Sequence, residues 1–145
     1  MSEAPTEQTI LIVDQDHDFL EWATKHLGAP GVRILRCDNA DNATKVVERT
    51  PVDLVIAEIA LQPYDGLELV SRIRQISGTT IVVLTAGFPS TGQVIEATQR
   101  GAHDVLRKES LPFELRPVVE NALQIVEDRR AVEPHVDRVV GSRGT

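Results

Sequence analysis

Four polar residues stand at or just beyond the C-terminal ends of apolar runs, and together they could bind a charged group. They are Asp14 after residues 10–13, Glu58 after 54–57, Thr85 after 81–84 and Lys108 shortly after 105–106. Carboxylate oxygens are hard ligands that suit Mg2+, and a lysine ammonium neutralises negative charge. Buried parallel strands direct their C-terminal ends to one edge of a sheet, where such sheets place their sites. We therefore expect these side chains to converge.

Short apolar runs alternate with stripes of helical period, which predicts five strands and five helices. The strands are predicted at 9–13, 32–35, 53–57, 80–84 and 105–106. The fourth helix is predicted at 90–100, with Val94, Ile95, Ala97 and Thr98 facing inward. This alternation indicates an α/β fold, a doubly wound parallel sheet with helices on both faces.

The composition and net charge of the chain disfavour several classes of function. The chain has 145 residues, which suits one domain with short ends, and its net charge of −7 disfavours binding to nucleic acid or an anionic membrane. The single cysteine, Cys37, excludes an internal disulfide and fits a reducing cytosol. No signal peptide and no apolar stretch of ~20 residues is visible, so we expect a cytoplasmic location.

The ordered strand ends resemble the receiver domain of bacterial two-component response regulators, over about residues 9–128. The matching positions are Asp14-Gln15, Glu58, Asp65-Gly66, Thr85-Ala86 and Lys108. The resemblance implies a flavodoxin-like, chemotaxis-regulator-like sheet of strand order 2-1-3-4-5. It also implies a signalling module, not an enzyme, whose partners are a histidine kinase or an effector domain.

Several positions depart from the family pattern. The phosphoacceptor position carries Glu58 in place of aspartate, and Gln15 replaces the second metal-binding acid. Glu109 replaces the proline after the lysine, and Val105 replaces the switching aromatic. The chain therefore resembles an atypical receiver, or pseudo-receiver.

The acidic pocket implied by the resemblance comprises Asp14, Gln15 and Asp16. Only Asp14 and Glu58 are expected to ligate Mg2+, weakly or not at all, and no other cofactor is expected. The extra methylene of Glu58 moves its carboxylate by roughly 1.5 Å. A displacement of ~1 Å can slow a positioned reaction about 100-fold, so Glu58 should be a poor phosphoryl acceptor.

Three functions of Glu58 remain open at the level of sequence. It could pair with Lys108 and Thr85 and hold the domain near its signalling state, or it could form a purely structural ion pair with Lys108. The alternative is a phosphorylatable receiver in which Thr85, Ala86 and Val105 act as switch positions. Without proline, the Lys108-Glu109 peptide bond is expected to be trans, with a shifted loop.

The resemblance implies homodimerisation or effector docking through the fourth helix, fifth strand and fifth helix. Candidate contacts, equally compatible with ordinary solvated positions, are Gln93, Glu96, Arg100, Arg107 and Arg116.

The domain boundaries are predicted from the loss of periodicity at each end. Residues 1–8 are expected to be a disordered leader, 9–128 the receiver domain, and 129–145 a linker or the start of a missing downstream domain. The segment 139–142 resembles the entry to the ATPase domain of enhancer-binding transcription activators. The chain is then either the regulatory piece of such a protein or a stand-alone receiver.

Overall fold

Five strands and five helices alternate along the chain in this computed structural model, which describes the backbone of residues 7–144 and the side chains of residues 7–132. The elements are β1 (Gln8–Val13), α1 (His17–Leu27), β2 (Val32–Cys37), α2 (Ala40–Arg49), β3 (Leu54–Glu58), α3 (Gly66–Ile76), β4 (Ile81–Ala86), α4 (Thr91–Arg100), β5 (Asp104–Arg107) and α5 (Leu111–Gly144). A 3-10 turn (Lys108–Ser110) joins β5 to α5. Of the predicted leader, residues 1–6 lie outside the described residues, and Gln8 already belongs to β1.

The strands form one parallel sheet in the order β2-β1-β3-β4-β5, which confirms the predicted fold class. Because every strand runs the same way, their C-terminal ends share one edge. At that edge Glu58 lies beside Thr85, and Ala86 lies beside Arg107. The topology therefore gathers the residues that the sequence singled out.

The core has two layers because side chains alternate between the two faces of each strand. One face packs against α2, α3 and α4, and the other packs against α1 and α5. In β1, for example, Leu11 and Val13 face the first layer, whereas Ile10 and Ile12 face the second. With both faces covered, the middle of each central strand is apolar, and polar residues such as Thr9 and Thr85 stand toward the strand ends.

Helix α4 differs from its predicted orientation. Of the four residues expected to face inward, only Ala97 is buried, whereas Val94 and Ile95 remain 40% and 53% exposed. The neighbouring strand β5 lies at the sheet edge and has only four residues. Helix α4 therefore covers only a narrow strip of the sheet. One small side chain, that of Ala97, is enough to fill the contact.

Helix α5 extends beyond residue 128, where the sequence predicted the domain to end. The guanidinium of Arg129 donates to the Thr79 carbonyl oxygen at 2.9 Å, and Arg130 lies 2.9 Å from the carboxylate of Asp53. These contacts tie the helix to the body past the predicted boundary. Within the described residues, no helix is both long and apolar enough to cross a membrane.

Candidate functional site

Three of the four predicted residues meet at the C-terminal edge of the sheet. The Lys108 ammonium lies 2.8 Å from Oδ2 of Asp14 and 3.0 Å from Oε1 of Glu58. The Asp14 side chain is 1% exposed, that of Glu58 is 16% exposed and that of Lys108 is 28% exposed. One cation thus bridges two carboxylates in a largely dehydrated position.

The proton affinities of this cluster are shifted by its burial and its charges. Burial raises the pKa of Glu58, opposed by the hydrogen bond from Lys108 and assisted by repulsion from Asp14. Burial acts to lower the pKa of Lys108, but hydrogen bonds and attraction to Asp14 and Glu58 outweigh it and raise that pKa overall. Lys108 therefore stays charged, and Glu58 is the member that takes up a proton more readily than usual.

The side chains that follow Asp14 in sequence are engaged by other backbone groups. The side-chain amide of Gln15 donates to the carbonyl oxygen of Ala60, two residues beyond Glu58. The Asp16 carboxylate accepts from the backbone amides of Asp18 and Phe19, so it caps the N-terminus of α1. Of the predicted acidic pocket at Asp14, Gln15 and Asp16, only the carboxylate of Asp14 therefore pairs with Lys108.

Thr85 is fully buried beside Glu58, but it does not bond to it. Its hydroxyl oxygen has no hydrogen-bond partner among the described residues. The hypothesis that Glu58 pairs with both Lys108 and Thr85 is therefore correct for Lys108 and wrong for Thr85. Ala86 is 9% exposed, and the half-buried Val105 packs against the first core layer.

The loop after Glu58 is shaped by a glycine. The amide of Gly66 donates to the Ile59 carbonyl oxygen at 2.7 Å, and a Cβ at Gly66 would collide with the carbonyl oxygen of Glu58. The preceding Asp65 caps α3 by accepting from the amide of Glu68. The Asp65-Gly66 pair therefore fixes the path of the backbone directly behind the Glu58 side chain.

The segment after β5 takes the form expected in the absence of proline. Within residues 7–144 the cis peptide bonds comprise Gln62–Pro63 alone, so Lys108–Glu109 is trans. The phenyl ring of Phe19 lies 5.0 Å from the Lys108 ammonium, within range of a cation–π contact. No sequence signal marks Phe19 as a neighbour of Lys108, so it is an addition to the predicted site residues.

The candidate docking residues all make contacts within the chain. Gln93 completes a capping box with Ser90; Arg100 binds Glu96, Glu68 and Ser71; Arg107 binds Glu109; and Arg116 donates to the carbonyl oxygen of His26. Arg116 thus reaches toward α1 and not toward α4 and β5. The exposed apolar side chains near this face are Phe88, Val94, Ile95 and Phe113.

Comparison with known proteins identifies the family. A family model described as the response regulator receiver domain matches residues 10–120. The chain belongs to the response regulator receiver domain family. Receiver domains are generally signalling domains of two-component systems, not enzymes, and they interact with histidine kinases and effector domains.

Individual relatives agree with this assignment. The chain is 29% identical over 136 residues to the response regulator protein PilR of Pseudomonas aeruginosa, covering 94% of this chain and 31% of that protein. It is 28% identical over 125 residues to the transcriptional regulatory protein GlrR of Escherichia coli, covering 86% of this chain and 28% of that protein. The chain thus spans about three-tenths of the length of these curated relatives.

A solved structure shows the same fold. The signal receiver domain of an HD domain-containing protein from Pseudomonas fluorescens superposes with a TM-score of 0.81 at 26% identity. The match covers 90% of this chain and 97% of that one. The similarity therefore extends over nearly the whole receiver fold.

Proposed function

We propose that this chain is a receiver domain that signals by protein contact without a bound phosphoryl group or Mg2+. The observation that carries the proposal is the bridge from Lys108 to both Asp14 and Glu58, at 2.8 and 3.0 Å. A cation built into the chain occupies the position between the carboxylates. Lys108 then compensates the negative charge of Asp14 and Glu58 without a bound metal ion.

The donor set supports independence from Mg2+. Receiver domains typically bind Mg2+ at the phosphorylation site. Here the two inward carboxylates already share Lys108, Asp16 is used as a helix cap, and the described residues contain no group of three or more acidic, histidine or cysteine side chains suited to a metal. Mg2+ demands near-octahedral oxygen geometry and loses its water reluctantly. The residues present do not fit that ion.

The chemistry of Glu58 supports independence from phosphate. Its Oε1 atom accepts a hydrogen bond from Lys108 at 3.0 Å, so this oxygen is less available for attack on a phosphodonor. Its reach also differs from that of aspartate by roughly 1.5 Å. In a positioned transfer such a displacement costs about two orders of magnitude in rate.

Output through protein contact is the remaining part of the proposal. Helix α4 carries the exposed apolar side chains of Val94 and Ile95, helix α5 carries that of Phe113, and the exposed Phe88 precedes α4. Exposed apolar side chains mark an interaction surface when they form a contiguous patch. They offer a face for homodimerisation or for docking an effector, with Glu58 and Lys108 either fixing the signalling state or serving as a rigid scaffold.

A phosphorylatable receiver is the second candidate, and one observation favours it. The Thr85 hydroxyl is buried beside Glu58 without a hydrogen-bond partner, so it could donate to an added phosphoryl oxygen. Asp14 and Lys108 are also present. This function requires that Lys108 release Glu58, which the bridged geometry opposes.

The wider context proposed for the domain is regulation of transcription. The curated relatives include a transcriptional regulatory protein of which the chain covers 28%. We therefore propose that the receiver domain, predicted at residues 9–128 and anchored beyond that point through Arg129 and Arg130, is the regulatory unit of such a protein. A stand-alone receiver is the competing arrangement.

The proposed function is tested by binding of a phosphoryl analogue. The protein is titrated with Mg2+ and beryllofluoride while backbone amide shifts are followed by NMR. The double variant Gln15→Asp, Glu58→Asp restores the two acids of the family pattern and is titrated in parallel. The single variant Glu58→Asp serves as a control that separates the acceptor from the metal ligand.

We expect no saturable response in the wild-type chain and a saturable response in the double variant. Saturable shifts around Thr85 and Lys108 in the wild type would instead establish a working phosphoryl switch. If the double variant also fails to respond, Lys108→Ala in that background separates the causes. Restored Mg2+ binding would show that the Lys108 bridge excludes the ion, and absence of binding would contradict that role of the bridge.

A further inference from the structure

Two successive parts of α5 are attached to the body of the domain by different kinds of contact. Up to Val126 the helix is packed into the core through buried apolar side chains, namely those of Leu111, Leu115, Val119, Ala122 and Val126. From Glu127 to Arg130 the side chains reach the body through polar atoms. The attachment of the helix therefore changes at Val126 from close packing to hydrogen bonds and ion pairs.

Four side chains form a polar clamp on the second part of the helix, and they are Gln8, Asp53, Glu127 and Arg130. The Arg130 guanidinium lies 2.9 Å from Oδ1 of Asp53 and 3.4 Å from Oε1 of Glu127. The side-chain amide of Gln8, at the start of β1, donates to the same Glu127 oxygen at 3.0 Å. The clamp thus connects α5 to the ends of the strands that lie opposite Lys108.

Asp53 joins the clamp to the sheet because its two carboxylate oxygens have different partners. Oδ1 faces Arg130, whereas Oδ2 accepts from the backbone amide of Thr9 in β1 at 2.8 Å. The Asp53 side chain is only 16% exposed, so these partners replace much of its hydration. Loss of the contact with Arg130 should therefore release α5 while the bond to β1 remains.

The clamp crosses a gap between the helix and the sheet. A cavity of about 100 Å3 lies there, lined by Val52, Asp53, Val126 and Arg130 among others. At this point the space under α5 is not filled by side chains, in contrast to the close packing of a protein core. A segment with few buried apolar contacts can open locally while the rest of the domain stays folded. The second part of α5 is such a segment.

Helix α5 links the two ends of the sheet. It begins directly after the 3-10 turn that carries Lys108, and its backbone continues beyond the clamp to Gly144. The clamp lies between the packed part of the helix and the part that leads away from the body. It is therefore placed where the direction of the outgoing helix is decided.

We infer that the clamp is a conformational latch on α5. When it is closed, the pair of Asp53 and Arg130 fixes the direction of the helix beyond Val126. When it opens, that part of the helix turns away from the sheet and the core stays folded. The latch rests on contacts at the end of the sheet opposite Lys108, and it is independent of the function proposed for Glu58.

Electron–electron distance measurement on a doubly spin-labelled chain tests this inference. In a Cys37→Ser background, labels are attached after Glu48→Cys and Ala131→Cys, both at exposed positions. The distance between the labels then reports how the outgoing part of α5 lies relative to α2. We expect one narrow distance distribution when the clamp is intact.

Asp53→Asn and Arg130→Met should each broaden this distribution, because both remove the ion pair that closes the latch. The asparagine can still accept from the Thr9 amide through its side-chain oxygen, so the contact with β1 is kept. Asp41→Asn breaks the exposed pair with Lys45 and is the matched control, which should leave the distribution narrow. Amide NMR spectra of each variant should retain the dispersion of the folded core.

Several results would overturn the inference. A narrow distribution in both clamp variants would mean that packing up to Val126 and the stiffness of the helix alone set its direction. A broad distribution with the clamp intact would mean that the latch does not hold. Equal broadening by Asp41→Asn would indicate general loosening of the domain. Loss of the folded amide spectrum in both clamp variants would show that the clamp belongs to the fold and does not open separately.

Discussion

The two ends of the sheet treat charge in opposite ways. At the C-terminal edge, two carboxylates share the Lys108 ammonium at 2.8 and 3.0 Å. At the other end, Arg74 and Arg129 line one cavity without an acid among the described side chains. The first cluster has its counter-charge within the chain, whereas no described acidic side chain lines the cavity of the second. On the proposed function, the edge where receiver domains typically bind Mg2+ carries its own counter-charge, Lys108.

This contrast has an energetic basis. A buried charge is tolerated when a partner and hydrogen bonds replace its hydration, and removing that partner is strongly unfavourable. A charge without a partner is not stabilised by its neighbours, so its removal should change the free energy of unfolding little. Replacing Lys108 with an apolar side chain should therefore change the free energy of unfolding differently from the same replacement of Arg74.

The largest effect is predicted for Lys108→Met. It leaves the carboxylates of Asp14 and Glu58 facing each other, and should lower the free energy of unfolding by about 2–3 kcal/mol at neutral pH, less than for a fully buried pair because Lys108 is partly exposed. Urea unfolding measures the change. Lys45→Met, at an exposed pair with Asp41, is the matched control and should change stability by less than about 0.5 kcal/mol. An equal effect of both variants would show that the bridge does not stabilise the fold.

Arg130→Met should have an intermediate effect. Arg130 is 33% exposed and pairs with Asp53, a 16% exposed acid that also accepts from the backbone amide of Thr9. Loss of the pair should lower the free energy of unfolding by about 1–2 kcal/mol, since hydrogen bonds to a charged group contribute about that much. Unchanged stability would mean that α5 is not anchored to the body at this point.

A smaller, pH-dependent effect is predicted for Glu58→Gln. Because the folded state raises the pKa of Glu58 above 4.5, the folded protein binds this proton more tightly than the unfolded chain. The contribution of Glu58 to stability is then greatest below pH 4.5 and declines as pH rises through the folded pKa. The stability of wild type relative to Glu58→Gln should therefore fall with pH over that range. A difference that rises with pH would reverse the sign of the pKa shift.

The smallest effect is predicted for Arg74→Met in buffer containing only chloride. The substitution keeps the aliphatic part of the side chain, removes two unpaired buried donors and relieves repulsion with Arg129. Thermal unfolding should show stability unchanged or raised by less than about 1 kcal/mol. A loss as large as that for Lys108→Met would remove the contrast between the two ends.

Much of the fold could be predicted from the sequence because its signals are local and mutually consistent. Apolar runs ending in Asp14, Glu58 and Thr85 marked strand ends, and parallel topology alone brought those ends to one edge. The orientation of α4 could not be obtained this way. It depends on how much sheet the short edge strand β5 leaves to cover, which is a property of the packed structure.

The sequence predicted which residues lie at the candidate site, but not which partners their side chains bind. An aspartate such as Asp16 can serve as a metal ligand or as a helix cap. Because α1 begins at His17, Asp16 caps that helix. The rotamer that leaves the Thr85 hydroxyl unpaired has no sequence signal. The meeting of Arg74 with Arg129 depends on α5 continuing past residue 128, where periodicity alone placed the end of the domain.

The most direct test of the account is a crystal structure of the protein grown with Mg2+ and beryllofluoride. We expect Lys108 to remain between Asp14 and Glu58, with no metal and no fluoride adduct at Glu58. A Mg2+ ion coordinated by Asp14 and Glu58, with Lys108 displaced and the Thr85 hydroxyl bound to beryllofluoride, would contradict it.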